Sequence, residues 1–219
     1  SDPQAFLRAQ IRPAGADQPR TNGETSAQRI AAFREFQGLR REAQSGEDPE
    51  ARDPVKIAQR MLRTDTATDF LGRIELAAAT DAGFRERWTI FWANHFTVSA
   101  TKLVTATTVG PFECEALRPH VFGRFADLLV AVETHPAMLL YLDQVQSIGP
   151  GSPAAQFLRR RPRQDARLSG LNENLAREIL EDQLGKIDVG EERGRCLFVR
   201  AFMTIAMTRQ LMALGDDPL

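Results

Sequence analysis

Cysteine is nearly absent from this 219-residue chain, and the two that occur, Cys114 and Cys196, sit far apart. No CxxC or comparable ligand spacing exists, which removes the zinc-ribbon and thiol-redox motifs and leaves open whether the pair is joined or reduced. Excess charge of either sign is missing too: 28 basic against 29 acidic side chains give a net charge of -1. No global field therefore steers the chain to nucleic acid or anionic lipid. The opening residues, SDPQAFLRAQ, lack the basic-then-apolar order of a signal peptide and read as an internal start, compatible with an export signal removed upstream. Residues 196–214 form the longest apolar stretch, but Arg200 and Arg209 interrupt it. A membrane span requires about 20 nearly uncharged residues, so this stretch reads as a buried or amphipathic helix of a soluble protein. Alternating strand patterns and fixed-period repeats are also lacking.

What is present is helical periodicity, in a chain 42% hydrophobic and long enough for one good-sized domain. Ser26 can cap a helix through Ile30, Phe33 and Phe36, which ends in the polar linker QSGEDPEARDP, residues 44–54. Asp53-Pro54 is a good start for a helix carrying Val55, Ile57, Ala58, Met61 and Leu62. A separate helix is expected around residues 70–79. Residues 97–109 are rich in β-branched side chains and read as a loop or a poor helix. Pro111 is expected to start the next helix and Pro119 to interrupt it, before Phe122, Phe125, Leu128, Leu129 and Val132 recur at helical spacing. Pro136 opens a short helix through Tyr141. Residues 147–170, rich in glycine, proline and serine, read as a long polar loop. Its arginines, Arg159, Arg160, Arg161, Arg163 and Arg167, suit a solvated surface or contact with phosphate or carboxylate. The near absence of a stacking aromatic there argues against single-stranded nucleic acid.

Three stretches carry candidate chemistry. In RERWTIFWANHFTVS, residues 85–99, helical geometry puts Trp88, Phe91, Trp92 and His95 on one face with Phe84, and Asn94 to one side. Buried there, His95 needs a hydrogen-bond partner, since an unpaired polar group costs about 1–3 kcal/mol. It is either a satisfied core histidine or, with carboxylate partners, a metal or acid–base group. In GLNENLAREILE, residues 170–181, Asn172 can cap a helix, and Asn174, Glu178 and Glu181 share one polar face. The pairs Glu173–Arg177 and Arg177–Glu181 account for part of that pattern at about 0.2–0.5 kcal/mol each. Two glutamates on one face can otherwise ligate a metal or act as acid and base. In HPAMLLYLDQ, residues 135–144, His135 sits at a turn. Asp143 ends an apolar helix where the helix dipole disfavours it, which points to a local partner.

FWANHFTVS, LRPHVFGRFADLL, HPAMLLYLDQVQSIGPGS and GLNENLAREILE, in this order, resemble a bacterial family named only as domain of unknown function eighteen hundred. The resemblance covers roughly residues 1–181 and brings no established activity. Members are large, mainly helical, often about twice this length, frequently exported, and encoded beside an uncharacterised sulfatase-like family. The resemblance thus implies an exported or periplasmic location, beside which a cytoplasmic one stays open, and a sulfatase-like partner. Gln144 stands where the family commonly has asparagine. After residue 181, Asp182 to Gly185 replace a leucine-histidine-threonine-leucine-glycine run, and the tail from Lys186 departs from the pattern. The resemblance implies a shortened or divergent member.

The expected fold is mainly α, a single-domain irregular multi-helix bundle with a long polar loop. Two functions are expected of it. One is a binding or assembly module in which Asn94, His95, Asp143, Asn172, Asn174, Arg177 and Glu178 build a buried polar cluster. The alternative is a metal-dependent, hydrolase-like enzyme with His95, Asn94 and Glu178 catalytic. There His95, Asp143, Glu178 and Glu181 hold a divalent ion, and Asn94 or Asn174 orients the substrate.

Overall fold

The computed structural model describes residues 2–45, 52–149 and 152–159, and all regular structure among them is helical. The chain packs as two compact units, Ser1–Tyr141 and Leu142–Leu219. No helix among the described residues is long and apolar enough to cross a membrane.

The first unit opens with α1 (Pro3–Ala9), whose Asp2 cap accepts the Gln4 N–H at 2.9 Å. Residues 10–25 form an irregular strap that crosses the unit, held by hydrogen bonds more than by apolar contact. The Ala16 N–H donates to the Arg118 carbonyl at 2.7 Å, and the Gln18 amide to the Cys114 carbonyl at 3.2 Å. Two glycines let backbone pass this closely. Gly15 has φ +89°, and a Cβ there would strike the Arg118 carbonyl; a Cβ at Gly72 would strike the Arg20 carbonyl.

Helix α2 (Ser26–Ser45) is capped by Thr25, not Ser26. The Gln28 N–H donates to the Thr25 hydroxyl at 3.3 Å and the Thr25 N–H to Gln28 Oε1 at 2.8 Å, a reciprocal capping box. Ser26 is displaced from that role because Glu115 takes both its N–H and its hydroxyl. Helix α3 (Arg52–Ala79) is one 28-residue helix where the sequence suggested two. Its middle is polar and β-branched, yet Thr66 and Thr68 donate back to the Leu62 and Thr64 carbonyls at 2.8 and 2.9 Å, so the turn continues.

Helix α4 (Gly83–His95) has no side-chain cap of its own. Gln10 supplies one from the strap, its Oε1 accepting the Phe84 N–H at 2.8 Å. Residues 97–102 are loop, but α5 (Leu103–Phe112) follows at once, so the β-branched stretch is mostly helical. Buried Thr105, Thr107 and Thr108 donate their hydroxyls to carbonyls three to four residues back or in the loop, which lets a threonine-rich helix be buried. Pro111 lies inside this helix instead of starting one, and the chain runs on as a wider π-turn, Glu113–Leu117.

Turns then lead to α6 (Phe125–Glu133), with Phe122 outside it, and to α7 (Pro136–Tyr141), which Pro136 opens as its sequence suggests. α5 packs against α2, α3, α7 and the π-turn. Phe36, Leu62, Phe96, Phe112, Leu117, Leu128, Val132 and Met138 make up most of the core, each side chain contributing about 1.5–3 kcal/mol by leaving water.

The second unit is described only in part. A 3-10 turn covers Gln144–Gln146, and α8 (Pro153–Arg159) lies within the stretch expected to be loop. Asp143 stands two residues beyond the end of α7, at φ 56°, a left-handed conformation that aspartate tolerates better than most residues. It therefore does not end the apolar helix α7 but stands at the N-terminal side of the 3-10 turn.

Candidate functional site

α4 has two faces, and they are reversed from the usual order. Its buried residues are Arg85, Glu86 and Thr89. Phe84, Phe91, Asn94 and His95 are exposed, Phe91 at 52%, while Trp88 and Trp92 are half-buried. The aromatic spacing does build a continuous row. Ring centroids run from Phe84 to Trp88 at 6.4 Å, Trp88 to Phe91 at 5.3 Å and Phe91 to His95 at 6.3 Å, with interplanar angles of 15°, 10° and 6°. Trp92 meets Trp88, Phe91 and His95 edge-on, and Phe125 of α6 extends the patch at 5.6 Å from Trp92. Trp88 Nε1 donates to the Val121 carbonyl at 2.8 Å, which fixes the row to the body of the unit.

Beneath α4 lies a charged interior. Arg118 is fully buried and held by two carboxylates: Nη2 donates to Glu86 Oε1 at 2.7 Å, Nη1 to Glu86 Oε2 at 2.9 Å, and Nε to Glu113 Oε1 at 2.9 Å. Nη1 also donates to the Asp17 carbonyl at 2.6 Å. Arg73 pairs with the other Glu113 oxygen at 3.0 Å. Arg85 donates to Asp17 at 2.6 Å and to the Gln10 carbonyl at 2.7 Å. Burial opposes the Arg118 charge, but Glu86 and Glu113 outweigh it and leave its pKa raised. Arg73, Arg85 and Arg118 face Glu86, Glu113 and Asp17, with Arg12 reaching Asp17 from the exposed side at 3.5 Å, and the cluster binds strap, α3, α4 and π-turn together.

Two further polar groups join other elements. Arg29, also fully buried, lies between Glu24 at 2.8 Å and Asp69 at 3.0 Å, with Asp65 at 3.5 Å. Burial pushes the Asp69 carboxyl up, with Arg29 opposing and Asp65 and Glu24 reinforcing. His135 Nε2 lies 2.9 Å from Glu115 Oε2, and the Ala137 N–H donates to His135 Nδ1 at 3.1 Å. Ser26 donates its N–H to Glu115 Oε1 and its hydroxyl to Oε2, each at 2.8 Å. Burial raises the Glu115 pKa, but the bonds from His135 and Ser26 outweigh it and leave it lowered. Serine, glutamate and histidine meet here, yet the serine points at the carboxylate and both imidazole nitrogens are engaged. That geometry makes a clasp, with no nucleophile–base contact.

A small cleft between α3 and α5 is lined by Phe70, Arg73, Val109, Gly110, Glu113 and Cys114, among others, with room of about 20 Å³ for a water molecule. The Cys114 thiol is pushed up by burial to about 11, which favours its protonated form at neutral pH.

Of the residues singled out from sequence, Asn94, His95 and Asp143 lie among those described. Asn94 and His95 are exposed at the end of the aromatic row, not buried. Asn172, Asn174, Arg177, Glu178 and Glu181 lie outside the described residues. Among the described residues, no group of three histidine, cysteine or acidic side chains is disposed to hold a metal. The buried polar residues instead include Arg29, Asp69, Arg85, Glu86, Thr89, Glu113, Arg118 and His135. A signal for two of them stood in the sequence: Glu86 and Thr89 lie on the helix side away from Phe84, Trp88 and Phe91. Nothing in one sequence marks Arg118 as the partner of Glu86.

A family described as “Protein of unknown function (DUF1800)” matches residues 1–181. No curated protein and no solved structure matches the chain.

Proposed function

The chain belongs to the DUF1800 family, and from that premise we propose that it is a binding or assembly module whose contact surface is the outer face of α4. One observation carries this reading: α4 buries Arg85 and Glu86 and turns Phe84 and Phe91 outward, with Trp88 and Trp92 half-buried between them. Burying Arg85 and Glu86 demands partners with good geometry, so the inward polar face is costly to evolve by accident. Exposed aromatic rings backed by a rigid body are the side chains that dominate protein interfaces. Asn94 and His95 lie at the polar end of the row. The first partner to test is the sulfatase-like protein that the family resemblance implies.

The test is a titration of this chain and its Phe91→Asp variant against that partner by calorimetry. Wild type binds, and the variant loses at least about tenfold in affinity with an unchanged far-UV spectrum. Equal affinity for both chains, or no binding by wild type, removes the surface from the account. Metal analysis of chain purified without added ions provides the contrast. Stoichiometric metal that is lost in His95→Ala would replace this reading with the metal-dependent one.

A further inference from the structure

The geometry points to an acid-sensitive latch at the start of α7, in which His135 holds the helix N-terminus only while its Nδ1 carries no proton. The two bonds to the ring assign its state. The Ala137 N–H donates to Nδ1 at 3.1 Å, so Nδ1 is an acceptor. Nε2 then bears the hydrogen and donates to Glu115 Oε2 at 2.9 Å. Pro136 has no N–H, which makes the Ala137 N–H the first donor of α7 that needs a partner. His135 thus acts as the cap of α7, in place of the serine or aspartate usual there.

The clasp reaches further than its own helix. Glu115 belongs to the π-turn and accepts both donors of Ser26 at the start of α2. His135 therefore connects the first turns of α2 and α7 through one carboxylate. From α5 the Phe112 ring meets the imidazole at a centroid distance of 5.2 Å, and α2 contributes Ser26. Among the described ionisable groups, the charge that acts on the imidazole is that of Glu115.

A second proton must go to Nδ1, and it turns the acceptor of the Ala137 N–H into a donor facing a donor. The imidazolium keeps and strengthens its bond to Glu115, so the ring passes from a bridge to a one-sided ion pair. Burial pushes the His135 pKa below 6.5 and Glu115 opposes this only in part, so the latch is closed at neutral pH. Acid below that value uncaps α7, whose Ala137 and Met138 are buried in the unit. This inference does not depend on the α4 surface.

Amide hydrogen exchange on the full chain tests it, at about pH 7.5 and about pH 4.5, corrected for the intrinsic pH dependence of exchange. In wild type, residues 136–141 lose about tenfold or more protection at the lower pH. In His135→Asn, whose side-chain oxygen accepts a hydrogen bond without titrating, protection there is unchanged between the two. Equal protection of wild type at both pH values, or a parallel loss in the variant, overturns the latch. If the variant does not fold, ¹⁵N correlation of the wild-type imidazole decides. Hydrogen on Nε2 at neutral pH and an apparent pKa below 6.5 uphold the latch, and hydrogen on Nδ1 overturns it.

Discussion

His135, Glu115 and Asp69 respond to pH in different directions, and each sign follows from its surroundings. His135 titrates below its ordinary 6.5, mainly because burial opposes the charged ring. The unfolded chain therefore binds that proton first, so the contribution is complete above pH 6.5 and is lost as pH falls through the lowered value. Glu115 is lowered from 4.5, burial being outweighed by the bonds from His135 and Ser26. Its contribution stands above pH 4.5 and is lost below, as acid reaches the folded value. Asp69 runs the other way. Burial raises it above 3.8, so its ionised form is penalised in the fold and that penalty eases as pH falls. Urea unfolding across this range should show stability falling in two steps, below about pH 6.5 and again below about pH 4.5. His135→Asn should remove the first step and, by taking a donor away from Glu115, weaken the second. A single acid step in wild type would contradict the assignment of the first step to His135.

Helices α3 and α4 show where periodicity decides and where it does not. Phe84, Trp88, Phe91, Trp92 and His95 were legible as one face because helical spacing is fixed by covalent geometry. Which side faced inward was not legible. That depends on Glu86 meeting Arg118 across 32 positions and Arg85 meeting Asp17 across 68. An apolar stripe normally faces the core, and here paired charges took its place. The continuity of α3 was missed for a different reason. Threonine is a poor helix former in isolation, but Thr66 and Thr68 satisfy their hydroxyls on the helix itself. Its packing offers a sharp check. Gly72→Ala places a methyl against the Arg20 carbonyl, so the strap must move off α3. A loss of about 1–3 kcal/mol in urea unfolding is expected, against near neutrality for Gly38→Ala on α2, where a Cβ meets open space. Equal effects at both positions would show that the strap does not lie against α3.

Across the first unit, helices are joined as much by charge and by the strap as by apolar packing. The strap caps α4 through Gln10, accepts from Arg85 and Arg118, and brings Glu24 to Arg29. The mainly helical class and the α7 start were readable from periodicity and proline positions, which are local properties. The polar interior was not, because a buried ion pair joins residues whose spacing carries no period. Asn94 and His95, read as buried, instead mark the polar end of an exposed aromatic row. The same arrangement supplies the most direct test, since both tryptophans of the chain, Trp88 and Trp92, lie on α4. Urea unfolding followed by tryptophan emission can compare Phe91→Asp with Glu86→Leu. With the charged side inward, Phe91→Asp stays within about 0.5 kcal/mol of wild type. Glu86→Leu leaves Arg118 short of a carboxylate and loses about 3 kcal/mol or more. A chain that tolerates leucine at position 86 but unfolds with aspartate at position 91 would contradict the inverted helix on which the proposed surface rests.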